Sequence, residues 1–228
     1  MADPQIVALG GLGEADDEAG RLVRFALGLT GKERPRVCLV PTASNEMPEY
    51  MLRFYENMSG HAEASHVSFF PWPRADLRDH VLSQDVIFVS GGNTANLLAI
   101  WRAHGFDEII REAWEQGIVL AGGSAGMICW FEAGVTDSFG PQLEGMRDGL
   151  GFLPGSACPH YDGEEQRRPL YRRLVAQGTL PPGYAADDDA ALHFEGTEVA
   201  EVVTLTEGAT AYRVEREGET ALEARLLY

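Results

Sequence analysis

Short apolar runs that alternate with helical periods leave this chain little choice of architecture. Residues 5–10, 36–41, 64–70, 85–90 and 117–121 are rich in apolar side chains and bounded by turn residues, which reads as buried strands. Helical periods lie between them. Residues 16–29 put Leu22, Phe25, Ala26 and Leu29 on one face, 94–104 stop at Gly105, and 107–116 stop at Gly117. Such a βαβ series implies an α/β fold with a mostly parallel central sheet and helices on both faces. In that architecture ligands gather at the carboxyl ends of the strands.

The pattern changes near residue 134. Residues 134–155 are rich in Gly and Pro without a clear period and read as a long loop crossing the active edge. A short strand at 156–158 and a helix at 169–177, opened by Pro169, follow. The segments 199–204, 209–216 and 220–227 alternate polar and apolar residues, with a tight turn at Glu217, Gly218 and Glu219, so a C-terminal antiparallel β-hairpin is expected. No repeat or linker interrupts the 228 residues, and one domain, 1–228, is expected.

Charge narrows the partners. The 18 Lys and Arg stand against 35 Asp and Glu, a formal net charge of −17, and such a field repels nucleic acid and anionic lipid surfaces. The three cysteines, Cys38, Cys129 and Cys158, are widely spaced within apolar runs and read as buried, reduced thiols of a cytoplasmic protein. Met1-Ala2-Asp3-Pro4 lacks a basic leader, and the uncharged stretches 86–101 and 116–131 are too short and broken to span a membrane.

Chemistry concentrates at strand ends. Gly122-Gly123-Ser124-Ala125-Gly126 follows a strand and precedes an apolar segment, the pattern of a nucleophile elbow that lifts a serine hydroxyl above the sheet. A serine needs a base. His61, His66, His80 and His104 read as surface histidines. His160, in Pro159-His160-Tyr161-Asp162, ends a strand at the same edge as Ser124, whereas His193 sits within an alternating strand. A carboxylate to orient the imidazole is offered by Asp187-Asp188-Asp189; of three adjacent acids, at most one is expected to point inward. Ser90-Gly91-Gly92-Asn93-Thr94 joins another strand to a helix, either as a plain turn capped by Asn93 or Thr94 or as a source of backbone donors for an oxyanion beside the Ala125 N–H. Gly10-Gly11-Leu12-Gly13 superficially suggests a dinucleotide site, but the acidic Glu14, Asp16 and Asp17 oppose a pyrophosphate. No histidine pair has metal-ligand spacing, so neither a metal nor another cofactor is expected. Trp101, Trp114, Trp130 and Met127 read as core.

The four motifs at 90–94, 122–127, 159–161 and 186–192, in this order over residues 5 to 205, resemble the peptidase E and cyanophycinase family of serine peptidases. The resemblance implies a glutamine-amidotransferase-like sandwich and a triad in which the histidine precedes the acid, the reverse of the α/β-hydrolase order. By that likeness Ser124 is the nucleophile, His160 the base and Asp188, a glutamate in familiar relatives, the third member. Gly92 and Ala125 match the oxyanion donors, and Asp137 an aspartate of the substrate site; Asn93 and Asp162 are further substrate-side candidates. Peptidase E cleaves dipeptides with an N-terminal aspartate, yet Glu132 stands here where relatives carry a basic residue. Acids such as Asp137, Asp162 and Glu164 suit a peptide's free α-amino group instead. The expectation is a serine exopeptidase acting on short peptides, with an isopeptide-cleaving, cyanophycinase-like hydrolase and a non-catalytic binding domain as alternatives. A homo-oligomer is left open.

Overall fold

The computed structural model describes residues 3–11 and 19–228. In chain order the elements are β1 (Gln5–Leu9), α1 (Ala19–Gly28), β2 (Arg36–Val40), a 3-10 turn (Thr42–Ser44), α2 (Pro48–Met58), β3 (Glu63–His66), α3 (Leu77–Leu82), β4 (Val86–Val89), α4 (Thr94–Ala103), α5 (Phe106–Glu115) and β5 (Val119–Gly123). The second half comprises α6 (Ala125–Ile128), β6 (Phe131–Thr136), β7 (Glu144–Met146), β8 (Leu153–Cys158), α7 (Arg167–Ala176), β9 (Gly183–Ala186), β10 (Ala190–Glu195), β11 (Glu198–Thr204), β12 (Ala211–Glu215), β13 (Gly218–Ala221) and β14 (Ala224–Leu226).

An eight-stranded sheet runs β14-β11-β10-β1-β5-β4-β2-β3. Its half from β1 to β3 is parallel, while β10 joins β1 antiparallel. The continuous apolar runs follow from burial on both faces. Val7 and Leu9, Val37 and Leu39, and Val86 and Phe88 enter one core cluster with α1 and α2; Ile6 and Ala8, Cys38 and Val40, and Ile87 and Val89 enter the other with α4 and α5. Trp101 and Trp130 are buried in that second cluster and Trp114 packs against it, each large side chain contributing roughly 1.5–3 kcal/mol when fully buried.

A second sheet, β13-β12-β9-β8-β6-β7, replaces the loop expected at 134–155, which instead supplies part of β6, all of β7 and the start of β8. Phe131 and Ala157 of this sheet join Phe194 of the first in one core, so the two sheets form a sandwich. The C-terminal hairpin is β12 and β13, turning at Arg216 and Glu217, but 220–227 divides, and β14 crosses to pair in parallel with β11. The strand expected at 64–70 shortens to β3, a partly exposed edge, and the helical period from residue 16 starts outside the described residues. Helices α2 and α3 were not anticipated. All three cysteines are unpaired and buried, and burial pushes the Cys38 and Cys158 thiols up to about 12. Among the described residues, no helix is long and apolar enough to cross a membrane.

Candidate active site

The elbow begins as β5 runs out of sheet. Ser124 turns sharply with φ 55° and ψ −111° and leads into α6. A non-glycine residue held in such a conformation costs about 1–3 kcal/mol and persists only when its surroundings enforce it. Here they do. A Cβ on Gly122 would lie 2.6 Å from the Gly126 carbonyl oxygen, and one on Gly126 would lie 2.5 Å from that of Val89, so the turn closes only with glycine on both sides.

The end of β1 gathers the rest. The Ser124 N–H donates to the Leu9 carbonyl at 3.2 Å, the His160 N–H to that of Gly10 at 3.0 Å and the Asp189 N–H to that of Gly11 at 3.1 Å. Three consecutive carbonyls thus hold the serine, the histidine and the aspartate run. His160, itself at φ 52°, engages Asp188 through Nδ1 and Oδ1 at 2.7 Å, with both side chains about a quarter exposed at 22% and 25%. Gly11 forms the floor beneath that pair: a Cβ there would lie 2.0 Å from Asp188 Oδ1 and 2.4 Å from His160 Nδ1. The glycine pair that imitates a nucleotide motif is therefore space reserved for the imidazole and its acid. Among the described residues, no hydrogen bond joins the Ser124 hydroxyl to the His160 ring.

On the other side of Ser124 lies the glycine run after β4. A Cβ on Gly91 would sit 3.3 Å from that of Ser124. Gly92, at φ 130°, packs so tightly on the Ala43 carbonyl that a Cβ would approach its oxygen to 2.1 Å. The Asn93 N–H donates to that carbonyl at 2.9 Å, and among the described residues the N–H groups of Gly92 and Ala125 have no acceptor. Both donors are thus available. Asn93 is occupied internally: its Oδ1 accepts from the Asn96 N–H at 2.8 Å, capping α4, and its Nδ2 donates to the Ser138 carbonyl at 2.9 Å. Ser138 completes the cap, its Oγ accepting from the Thr94 and Ala95 N–H groups at 2.9 and 3.2 Å. Its neighbour Asp137 is exposed, and its carboxylate makes no hydrogen bond or ion pair among the described residues.

The remaining acids have structural partners. Asp162 Oδ1 accepts from the Asp188 N–H at 2.9 Å, so it positions the aspartate run as well as bordering the site. Glu164 is gripped by the buried Arg167 at 2.8 and 3.1 Å, which leaves little of its charge for an ammonium group. Glu132 accepts from the Gly155 N–H at 2.8 Å and ties β6 to β8. Two of the three adjacent aspartates turn inward, contrary to the expectation of one. Asp188 faces His160, while Asp187 is buried and accepts from the Thr210 N–H and the Tyr212 hydroxyl at 3.0 and 3.3 Å. They avoid a shared charge site by pointing to different partners, and burial, with Asp162 nearby, raises the Asp187 carboxyl above its ordinary range. His193 bonds to Gln5 at 2.9 Å, at the opposite end of β1 from Gly10. Among the described residues, no three His, Cys, Asp or Glu side chains are grouped to hold a metal ion.

The profile of Peptidase family S51 matches residues 6–202, which include every residue of this cluster. The chain belongs to that family. This S51 peptidase is 49% identical over 212 residues to the uncharacterized peptidase YgaJ of Bacillus subtilis (strain 168), covering 92% of this chain and 91% of that one. Its fold is shared with a peptidase from an acI-B1 Actinobacterium, at TM-score 0.69 and 19% identity over 98% of this chain and 95% of that one. A putative peptidase E protein from Listeria monocytogenes EGD-e aligns at TM-score 0.67 and 19% identity, over 90% of this chain and all of the other. The resemblance to the peptidase E family is thereby borne out. What sequence reasoning missed in this S51 peptidase is Gly11, Gly163 and Ser138, residues that act by room or by backbone contact. A glycine pair ending the first strand was the one visible signal.

Proposed function

We propose that this S51 peptidase is a serine exopeptidase that hydrolyses the N-terminal peptide bond of short peptides. The observation that carries this reading is the His160–Asp188 pair standing on the same strand end that holds Ser124. His160 takes the Ser124 proton as Oγ bonds to the substrate carbonyl carbon, and the resulting oxyanion lies against the Gly92 and Ala125 N–H groups. The C–N bond then breaks as His160 returns the proton to the leaving amine. Water, deprotonated by the same imidazole, releases the acyl group and restores the Ser124 hydroxyl. Asp188 keeps the imidazole oriented and stabilises its charged form. To the exposed Asp137, next to the Ser138 cap, this reading assigns the peptide's ammonium group.

A fluorophosphonate probe should label the wild type but not Ser124→Ala, and Ser124→Ala or His160→Ala should each lower kcat on dipeptides about 10⁴- to 10⁶-fold. Wild-type turnover by Ser124→Ala would refute the assignment. Release from an aspartate-rich polymer with no dipeptide cleavage would replace it with an isopeptidase. An unlabelled, inactive wild type would indicate a binding domain.

A further inference from the structure

Strand β9 ends one residue short of its register. It pairs antiparallel with β12, from Gly183 opposite Val214 to Ala186 opposite Ala211, so the next residue, Asp187, faces Thr210. In a regular ladder such a pair exchanges two N–H to carbonyl bonds. Half of that exchange is present: the Asp187 N–H donates to the Thr210 carbonyl at 2.9 Å. The other half is replaced. The Thr210 N–H goes to the Asp187 carboxylate, Oδ2 at 3.0 Å, where the Tyr212 hydroxyl also donates at 3.3 Å. The carbonyl so released accepts from the Ala190 N–H at 3.3 Å and lies where a Cβ on Gly10 would come within 2.2 Å of its oxygen. The same peptide plane carries the Asp188 N–H, which meets Asp162 Oδ1 at 2.9 Å.

We propose that Asp187 is a positioning residue for the His160–Asp188 pair: by standing in for its own carbonyl in the β9–β12 ladder, its side chain lets the chain leave the sheet between residues 187 and 188 and bring Asp188 Oδ1 within 2.7 Å of His160 Nδ1. This rests on the serine-peptidase reading above. Asp187 is no second acid for the imidazole, since Oδ2 is taken by Thr210 and Tyr212 and Oδ1 is buried without a hydrogen-bond partner among the described residues.

Asp187→Ala returns the Thr210 N–H to the backbone carbonyl, and rejoining the ladder rotates the peptide that carries Asp188. A misplacement near 1 Å can cost 10²-fold, so kcat should fall about 10- to 10²-fold, with KM changed less than about twofold. Asp187→Asn keeps an acceptor oxygen and should stay within about threefold of wild type, whereas Asp188→Asn should lose about 10⁴-fold. The low-field proton resonance of His160 Nδ1 reads the pair directly: it should move or broaden in Asp187→Ala and persist in Asp187→Asn. Asp85→Ala is the control for stability alone. It takes from the Arg36 N–H an acceptor at 2.9 Å, at the amino ends of β2 and β4, and should leave kcat and the resonance unchanged. Wild-type kcat and resonance in Asp187→Ala would overturn the proposal, as would a loss of kcat with the resonance unmoved. So would a loss in Asp187→Asn as deep as in Asp188→Asn, which would make Asp187 the acid itself. Should Asp187→Ala not fold, Tyr212→Phe removes one of the two donors to Oδ2 and should cost about two- to tenfold in kcat; wild-type kcat there would be equally fatal. Full activity in Ser124→Ala would instead bring down the serine mechanism, while the resonance still reports on the pair.

Discussion

At the scale of single residues, the site is governed as much by atoms that are absent as by those that react. Gly11 is the sharpest case, since a methyl group there would overlap both members of the His160–Asp188 hydrogen bond. Gly11→Ala is expected to lower kcat at least about 10²-fold, because a displacement near 1 Å of a catalytic group suffices for that loss. Steady-state kinetics on a dipeptide, with circular dichroism to verify the fold, checks this. Gly163 stands in the same relation to the other side of the acid, 2.1 Å from Asp188 Oδ2 once a Cβ is added. Glycines at these two places make room for the two carboxylate oxygens, one each.

At the scale of elements, the segment around Ser138 couples the second sheet to the glycine run. Ser138 lies two residues past the end of β6, and its hydroxyl accepts from two N–H groups of α4. Ser138→Ala therefore leaves the Thr94 and Ala95 N–H groups of the helix that begins two residues after Gly92 without their acceptor, Asn93 still capping the Asn96 N–H. A lost cap costs about 0.5–2 kcal/mol, and in a chain of this size each kcal/mol lowers the melting temperature by roughly 2–4 °C. Scanning calorimetry should show a decrease in that range. The parallel strands were legible because both of their faces are buried, which makes β1, β2, β4 and β5 uninterrupted apolar words. The second sheet was not. β7 has three residues, β6 shifts register between Phe131 and Ala133, and β8 contains Pro154 and Gly155, so neither length nor alternation distinguishes them from a loop. Helix α2 escaped notice because it buries only Phe54 and Met58 fully. Ser124, His160 and the run Asp187-Asp188-Asp189 stand out as candidates because each lies in a short motif at a strand end, but which aspartate faces His160 was left open by the residues themselves. The backbone contacts of Asp162, named only as a substrate-side candidate, and of Ser138 were not legible, since what they bind is brought near by the fold.

At the scale of the molecule, the C-terminal hairpin is tied to the segment that carries His160. Glu219 of β13 accepts from the hydroxyl of Tyr161, the residue after His160, at 2.5 Å and from Arg168 Nε at 3.0 Å, with Arg172 Nε 3.7 Å away. Burial alone would raise the Glu219 carboxyl, but the hydrogen bonds and charges of Arg168, Tyr161 and Arg172 outweigh it and hold the group below the ordinary 4.5. A carboxyl lowered in the folded state stabilises that state above its unfolded value, and the contribution is lost as pH falls through the folded one. Glu219→Gln is therefore expected to lower stability at neutral pH by about 1–3 kcal/mol, seen as a lower melting temperature, and the gap from wild type should narrow as pH falls below the ordinary 4.5. Melting curves across that range would show it.

The three carbonyls at the end of β1 also set a schedule. Residues 9 to 11 leave the ribosome early, but their partners at 124, 160 and 189 arrive much later, and β10, the neighbour that closes β1 on its second edge, is later still. Pairings between such distant stretches form only after the chain between them has been made. Under the proposed mechanism Ser124 is thus translated well before Asp188 exists, and no hydrolysis is expected of a nascent polypeptide that has not passed residue 188.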